Sequence, residues 1–238
     1  MFFTKKSLIE MEFFNGLVDH HSHILPCVDD GIQSLEESLK VLAWYEELGV
    51  ERVVFTPHIM DDYPRNTPDN LRAEFAKFKA NYSGRVELSL AAEYMLDLRF
   101  EREVQRGDML TLSHDHLLVE CSYVEAPINF HQSLHSLMQR GYFVVMAHAE
   151  RYLFLSMSDY RRLREMGVKF QLNILSVLGT YGKEVAQRAR ALLDLSYYDI
   201  VGLDLHNLEV CRRYLTNVKL KRRVIRQIEA IKGSNLCF

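Results

Sequence analysis

Residues 17–31 read Leu17-Val18-Asp19-His20-His21-Ser22-His23-Ile24-Leu25-Pro26-Cys27-Val28-Asp29-Asp30-Gly31. Leu17 and Val18 begin a short apolar run that leads into histidines and then into an Asp-Asp-Gly turn. Ser34, with Glu37 three residues on, then reads as a helix start with a capping box, and Leu35, Leu39 and Leu42 form an apolar stripe behind it. A strand followed by a helix is the building unit of parallel barrels and sheets.

The unit recurs. Apolar runs at 52–56, 86–92, 117–120, 143–147, 169–173 and 200–205 alternate with helical patterns at 67–82, 97–105, 130–140, 159–166 and 183–193, and a helical pattern at 218–232 closes the chain. Thr67-Pro68 places a cap before a proline at the first helical position. Gly49 and Gly141 stand where helices should stop. Seven β/α units in 238 residues, with no linker, repeat or low-complexity block, predict one α/β domain. A distorted seven-fold barrel and a doubly wound sheet both fit the pattern. Residues 1–16 read as an N-terminal extension, 17–207 as the motif-bearing barrel and 208–238 as a C-terminal helical segment.

A composition of 48% hydrophobic and 26% charged residues excludes a disordered chain and a disulfide scaffold. Lys+Arg 29 against Asp+Glu 32 leaves a net charge of −3, which argues against a nucleic-acid partner. Cys27, Cys121, Cys211 and Cys237 are far apart with no CxxC pair, and they predict reduced thiols in a cytoplasmic protein. Lys5, Lys6, Glu10 and Glu12 interrupt the apolar N-terminus, and no run approaches the roughly 20 apolar residues of a membrane span. No direct membrane insertion is expected.

The ten histidines are the unusual component. His21 and His23 lie two apart on a strand, so both rings leave the same face, while His20 should point away. Thr56-Pro57-His58 ends the second run, Glu93 the third, Glu120 the fourth and His148 the fifth, followed by Glu150 and Arg151. Asn173 ends the sixth, and Asp204 with His206 ends the seventh. Active sites of parallel α/β folds gather at these carboxyl ends. His114 and His116 precede their strand and read as a solvated loop at the opposite end. His131 and His135 lack the Glu of an HExxH motif and read as a surface pair.

Five placed histidines and the carboxylates Asp30, Glu93, Glu120 and Asp204 exceed what one ion can use, so two or three divalent cations are implied. Imidazole and carboxylate without thiolate suit Mn²⁺ first, with Fe or Zn²⁺ as alternatives. Cys27 and Cys121 read as small packing residues. Clustered cations provide a bridging hydroxide and clamps for attacking and leaving oxygens, which points to hydrolysis of a phosphate ester. Arg151 offers a fork for two phosphate oxygens. In the rim loop 61–66, Tyr63 can stack on a substrate ring and Arg65 can meet phosphate. No arginine follows Cys27 or Cys121 at the Cys-x₅-Arg spacing, since Gln33 and Pro127 stand there. That argues against a thiol-based phosphatase.

The stretch 19–31 closely resembles the opening of the bacterial polymerase-and-histidinol-phosphatase (PHP) protein tyrosine phosphatases of capsular and exopolysaccharide synthesis. Thr56-Pro57-His58, Ala92-Glu93, Val119-Glu120, Ala147-His148-Ala149-Glu150-Arg151 and Asp204-Leu205-His206 match its later motifs in order. Cys27 stands where glycine is usual, Ala149 where proline is, and Leu205 where a small residue is common; none of these is a ligand position.

The resemblance implies a PHP-type distorted (β/α)₇ barrel with three metals. It implies His21, His23, Glu93 and Asp204 on a first ion, with Glu93 bridging to a second ion held with Glu120 and His148. Asp30, His58 and His206 would hold the third. Arg151 and Glu120 are the implied catalytic groups, with Glu120 serving as the acid if it is not a full ligand. The implied substrate is phosphotyrosine on protein, typically the tyrosine-rich tail of a membrane-associated bacterial tyrosine kinase. A small-molecule phosphatase, such as a histidinol phosphatase, is the alternative; a non-catalytic metal-binding regulator is a third reading.

Overall fold

The first and last barrel strands of the chain meet. Asp204 N donates to His21 O (2.8 Å) and His23 N to Leu205 O (3.1 Å) in the computed structural model, which describes residues 5–232. The strands are β1 (Lys5–Lys6), β2 (Val18–Ser22), β3 (Arg52–Phe55), β4 (His58–Ile59), β5 (Glu87–Leu90), β6 (Glu93–Met95), β7 (His116–Glu120), β8 (Phe143–Met146), β9 (Lys169–Asn173), β10 (Ile200–Gly202) and β11 (Leu220–Lys221). The helices are α1 (Leu35–Leu48), α2 (Pro68–Ala80), α3 (Leu98–Arg106), α4 (Phe130–Gln139), α5 (Met157–Glu165), α6 (Ile174–Leu178), α7 (Lys183–Asp194), α8 (Leu208–Asn217) and α9 (Arg222–Lys232).

Two parallel ladders run β2-β3-β5 and β4-β6-β7-β8-β9-β10. They are parts of one ring. Pro57 has no N–H and interrupts the strand between β3 and β4, yet its carbonyl still accepts from Glu93 N (3.1 Å). Ala91 N donates to Phe55 O (2.8 Å) just before it. Residues 52–59 and 87–95 are therefore one interrupted strand each, and seven parallel strands close through the β2–β10 contacts. The result is the distorted (β/α)₇ barrel and not the doubly wound sheet.

The inner face explains where the chemistry sits. Val54, Ala91, Leu118, Val145, Ala147 and Ile200 pack together as one buried cluster, while their neighbours Val53, Phe55, Leu117, Val119, Val144 and Met146 belong to the larger core around it. Side chains alternate along a strand, so Glu93 and Glu120, two residues beyond Ala91 and Leu118, face inward above this apolar plug.

Local chemistry sets the helix ends. Ser34 Oγ accepts from Glu37 N, Thr67 Oγ1 from Asn70 N ahead of Pro68, and Asp97 from Phe100 N. Gly49 stops α1 at φ 77°, where a side chain would be strained.

Several expectations need correction. The buried residues of α1 are Ser38, Val41, Leu42, Trp44 and Tyr45; Leu35 is exposed and Leu39 only half-buried, so the face turned to the core is not the Leu35–Leu39–Leu42 stripe. α5 begins at Met157, earlier than expected, since Ser156 and Asp159 form a full capping box. The helix expected over 218–232 begins at Arg222. Leu220–Lys221 instead pairs antiparallel with Lys5–Lys6, which ties the N-terminal extension to the C-terminal segment. α6 and α8 are additional helices, too short or too polar to stand out in the sequence pattern. Cys237 and residues 1–4 of the extension lie outside the described residues.

β10 approaches β2 closely at Gly202, where an added Cβ would lie 2.6 Å from His21 Cβ. Gly202→Ala is expected to lower stability by about 1–3 kcal/mol through overpacking. Urea denaturation tests this, and an unchanged midpoint would contradict the closeness of the closure.

Candidate metal centre

Hydrogen bonds fix which ring nitrogens face the centre. His148 N is a backbone donor and bonds Gln171 Oε1 at 2.6 Å, so that oxygen is an acceptor. His21 Nδ1, 3.2 Å from the same oxygen, must then carry the proton and leave Nε2 as a bare lone pair. Asp29 Oδ2 accepts from His58 N (3.0 Å) and from His23 Nδ1 (2.8 Å), so His23 Nε2 is bare as well. The two Nε2 atoms lie 3.1 Å apart.

Two carboxylate oxygens complete the group. Glu93 Oε2 lies 3.2 Å from His21 Nε2 and 3.3 Å from His23 Nε2, and Asp204 Oδ1 lies 3.5 Å from each. Four acceptors converge in a buried space without a donor between them, and Glu93 Oε2 has no hydrogen bond. A tetrahedron with bonds of roughly 2.1 Å has edges of about 3.4 Å, so the spacing fits a bound cation.

Further groups overlap with this one. His58, Glu93 and Glu120 form a second, with His58 Nδ1 3.2 Å from Glu93 Oε2 and 3.0 Å from Glu120 Oε1. His23, Asp30, His58 and His206 form another, with Asp30 Oδ1 3.4 Å from His58 Nε2 and 3.5 Å from His206 Nε2. His21, His148 and Asp204 form the last, and His148 Nε2 also meets Glu93 Oε1 at 2.8 Å. All nine expected ligands are thus brought together. The His21, His23, Glu93 and Asp204 group coincides with the expected first set, and the other groups overlap: His58 also lies beside Glu93 and Glu120, His23 beside the outer group, and His148 beside His21 and Asp204 as well as 2.8 Å from Glu93 and 3.7 Å from Glu120.

The electrostatics show a demand for positive charge. Burial opposes charge on His21, but Glu93 and Asp204 lift it to about 9. Burial likewise opposes charge on His206, which Asp30 and Asp204 lift to about 9. Burial would raise Asp204, yet His21 and His206 hold it at about 2. Hydrogen bonds from His206 and His58 depress Asp30. His148 and Asp204 adopt left-handed backbone (φ 31° and 49°), strain of the kind that functional sites hold.

Above the ligands opens a cavity of about 520 Å³, lined by Tyr63, Tyr123, Arg151 and Tyr181 as well as by ligand side chains. Tyr63 stacks nearly parallel to His58, with ring centroids 5.9 Å apart. Arg151 donates to Asp204 Oδ2 (3.2 Å). Arg65 is exposed and lines the neighbouring groove beyond Tyr63, so it is not brought into this cavity.

The other histidines and thiols divide as follows. His20 is buried against Val201 O, and His131 and His135 are exposed. His114 is exposed, but His116 is not in a solvated loop: it opens β7, is buried and stacks on Phe143 at 4.8 Å. Cys121 is a buried packing residue, whereas Cys27 is exposed in left-handed backbone at φ 62°, with its thiol donating to Gln33 O (2.9 Å) across the turn, so it is not a core packing residue. Cys27, Cys121 and Cys211 are free thiols.

Asn173, expected at the site from its strand end, donates to Asp204 Oδ2 (2.9 Å), and Asp29, Gln171, Tyr123 and Tyr181 support the centre in roles that sequence reasoning misses. Asp29 carries a signal, since a carboxylate beside a ligand histidine often fixes its tautomer. Gln171 carries none, because its partners come from other strands.

A family model described as capsular polysaccharide synthesis, CpsB/CapC, matches residues 17–228. Tyrosine-protein phosphatase CpsB of Streptococcus pneumoniae is 28% identical over 81% of this chain and 84% of its own. Tyrosine-protein phosphatase YwqE of Bacillus subtilis is 24% identical over 81% and 78%. A solved structure described as YwqE and CpsB, metal-dependent tyrosine phosphatases, superposes with TM-score 0.76 at 23% identity, covering 82% of this chain and 81% of that one. Histidinol phosphate phosphatase of Lactococcus lactis, solved with zinc, L-histidinol and phosphate, shares the fold at TM-score 0.52 and 15% identity, over 92% and 94% of the two chains.

Glu150 lies buried beside the site, where it accepts from Asn173 N and from the Tyr198 hydroxyl, each at 3.0 Å. Burial pushes it to about 7. The folded state then holds this proton longer than the unfolded chain, so stability falls as pH rises from the ordinary value of about 4.3 through 7. Glu150→Gln should remove that fall, so that its melting temperature gains on the parent between pH 5 and 8. Parallel profiles would contradict it.

Proposed function

The chain belongs to the CpsB/CapC family of capsular polysaccharide synthesis, and from that premise and the geometry above we propose that it is a metal-dependent phosphatase acting on phosphotyrosine in protein. The observation that carries this reading is the convergence of bare lone pairs from His21, His23, Glu93 and Asp204 beneath a cavity that holds an arginine and tyrosines. Two or three divalent ions are proposed, Mn²⁺ first, with Fe or Zn²⁺ as alternatives. His21, His23, Glu93, Asp204, Glu120, His148, Asp30, His58 and His206 would hold them. Bound divalent ions supply an activated water and neutralise phosphoryl oxygens.

The chain's own groups do the rest. Asp29 and Gln171 hold the imidazoles of His23 and His21 with Nε2 toward the centre. Arg151 binds the phosphoryl group through its remaining N–H donors. Tyr63 offers its ring to the substrate's ring. A phenol leaving group has a free pKa of about 10, so it needs little acid help, and Glu120 is the carboxyl that would move that proton if it is not a full metal ligand. Its Oε2 already accepts from the Tyr123 hydroxyl (3.2 Å). The proposed physiological substrate is the tyrosine-rich tail of a membrane-associated bacterial kinase, met in the cytoplasm. No helix among the described residues is long and apolar enough to cross a membrane.

Elemental analysis, with activity before and after chelation and metal return, tests the metal dependence. Phosphotyrosyl peptide should be hydrolysed faster than histidinol phosphate at matched metal content, and the reverse order, or full activity without metal, would overturn the proposal. Asp29→Asn should weaken metal binding about 10–100-fold while the fold persists. Unchanged affinity would remove Asp29 from the assigned role.

A further inference from the structure

Three successive loops at the mouth of the barrel each give one side chain to a single stack. Tyr123 follows β7, Arg151 lies in the 3-10 turn after β8, and Tyr181 joins α6 to α7. The Arg151 Cζ lies 3.9 Å from the Tyr123 ring centroid and 4.3 Å from that of Tyr181, so the guanidinium is held between two rings. A flat, delocalised cation presents two faces to such rings, as an ammonium cannot.

Both rings are themselves anchored. The Tyr123 hydroxyl donates to Glu120 Oε2 (3.2 Å), and the Tyr181 hydroxyl accepts from Asn173 Nδ2 (3.4 Å). Asn173 Nδ2 also donates to Asp204 Oδ2 (2.9 Å), the oxygen that Arg151 Nη1 meets at 3.2 Å. The Arg151 side chain is only 18% exposed, although it lines the cavity. Its long stem would otherwise let it collapse onto Asp30, Glu93 or Glu120, all of which line the same cavity.

We propose that Tyr123 and Tyr181 are positioning residues that clamp the Arg151 guanidinium, so that one edge braces Asp204 and the other is presented to the phosphoryl group of the substrate. The clamp rests on the reading that Arg151 binds phosphate. It sets phosphate affinity by removing the rotational freedom that the arginine would otherwise lose on binding. Stacking needs the rings more than the hydroxyls, so phenylalanine should serve nearly as well as tyrosine.

The test measures KM, kcat and the inhibition constant of inorganic phosphate at matched metal content. Tyr123→Leu and Tyr181→Leu should each raise the phosphate constant and KM about tenfold, with a smaller change in kcat, and Tyr123→Phe and Tyr181→Phe should keep the phosphate constant within about threefold of the parent, whereas kcat of Tyr123→Phe reports separately on the lost hydroxyl contact to Glu120. In an Arg151→Ala background the leucine substitutions should add nothing, because side chains acting through one group are not additive. Leucine variants that bind phosphate like the parent, or that cost the same factor with and without Arg151, would overturn the clamp while leaving Arg151's role intact. An Arg151→Ala variant with unchanged phosphate affinity would overturn the phosphate role and the clamp with it. Each ring is tested separately, so a folding failure in one variant, seen as a lost cooperative melt, leaves the other to decide.

Discussion

Bare lone pairs facing one another in a dry space dictate how this protein is built. His21 Nε2, His23 Nε2, Glu93 Oε2 and Asp204 Oδ1 stand 3.1–3.5 Å apart with no donor among them. Buried acceptors without donors are costly, and the charged ones most of all. The protein alone can relieve this only by protonating imidazoles, which is why the folded structure lifts His21 and His206, and the resulting positive charge in turn depresses Asp204. A cation satisfies all four lone pairs at once.

The barrel is what allows this arrangement to be held. Its lower interior is filled by Val54, Ala91, Leu118, Val145, Ala147 and Ile200, so the polar layer rests on packed aliphatic side chains and not on water. Asp19 ties the layer to the wall, accepting from Leu203 N (2.9 Å) and from the Tyr45 hydroxyl of α1 (2.7 Å). Asp29 and Gln171 then hold rings whose lone pairs would otherwise turn toward their own donors. The left-handed backbone of His148 and Asp204 is kept in place by the same surroundings.

Much of this is legible in the amino-acid sequence. The order of strands and helices follows from periodicity, and the ligand types follow from their recurrence at strand ends. The resemblance to the PHP phosphatases points to the same positions. Errors fall where tertiary contact overrides local pattern. Leu35 belongs to an apolar stripe yet stays exposed, because the face of α1 that packs inward is set by Ser38, Val41, Leu42 and Tyr45. His116 looks like a loop residue yet is buried against Phe143, a neighbour on the next strand. Arg65 shares a loop with Tyr63, but Pro64 lies between them and the arginine faces the adjoining groove.

The kind of chemistry is already readable along the chain: imidazoles and carboxylates without thiolate, at the carboxyl ends of seven strands, with no basic surplus to bind phosphate. Residue type and strand period are local properties, and they can be read from the chain. Which nitrogen of each histidine faces the centre, which ligands share a neighbourhood, and the placement of Arg151 between Tyr123 and Tyr181 emerge from the folded arrangement alone. Those facts depend on partners such as Gln171, which lies 150 residues from His21. Closure of the ring brings such partners together, and no local pattern records it.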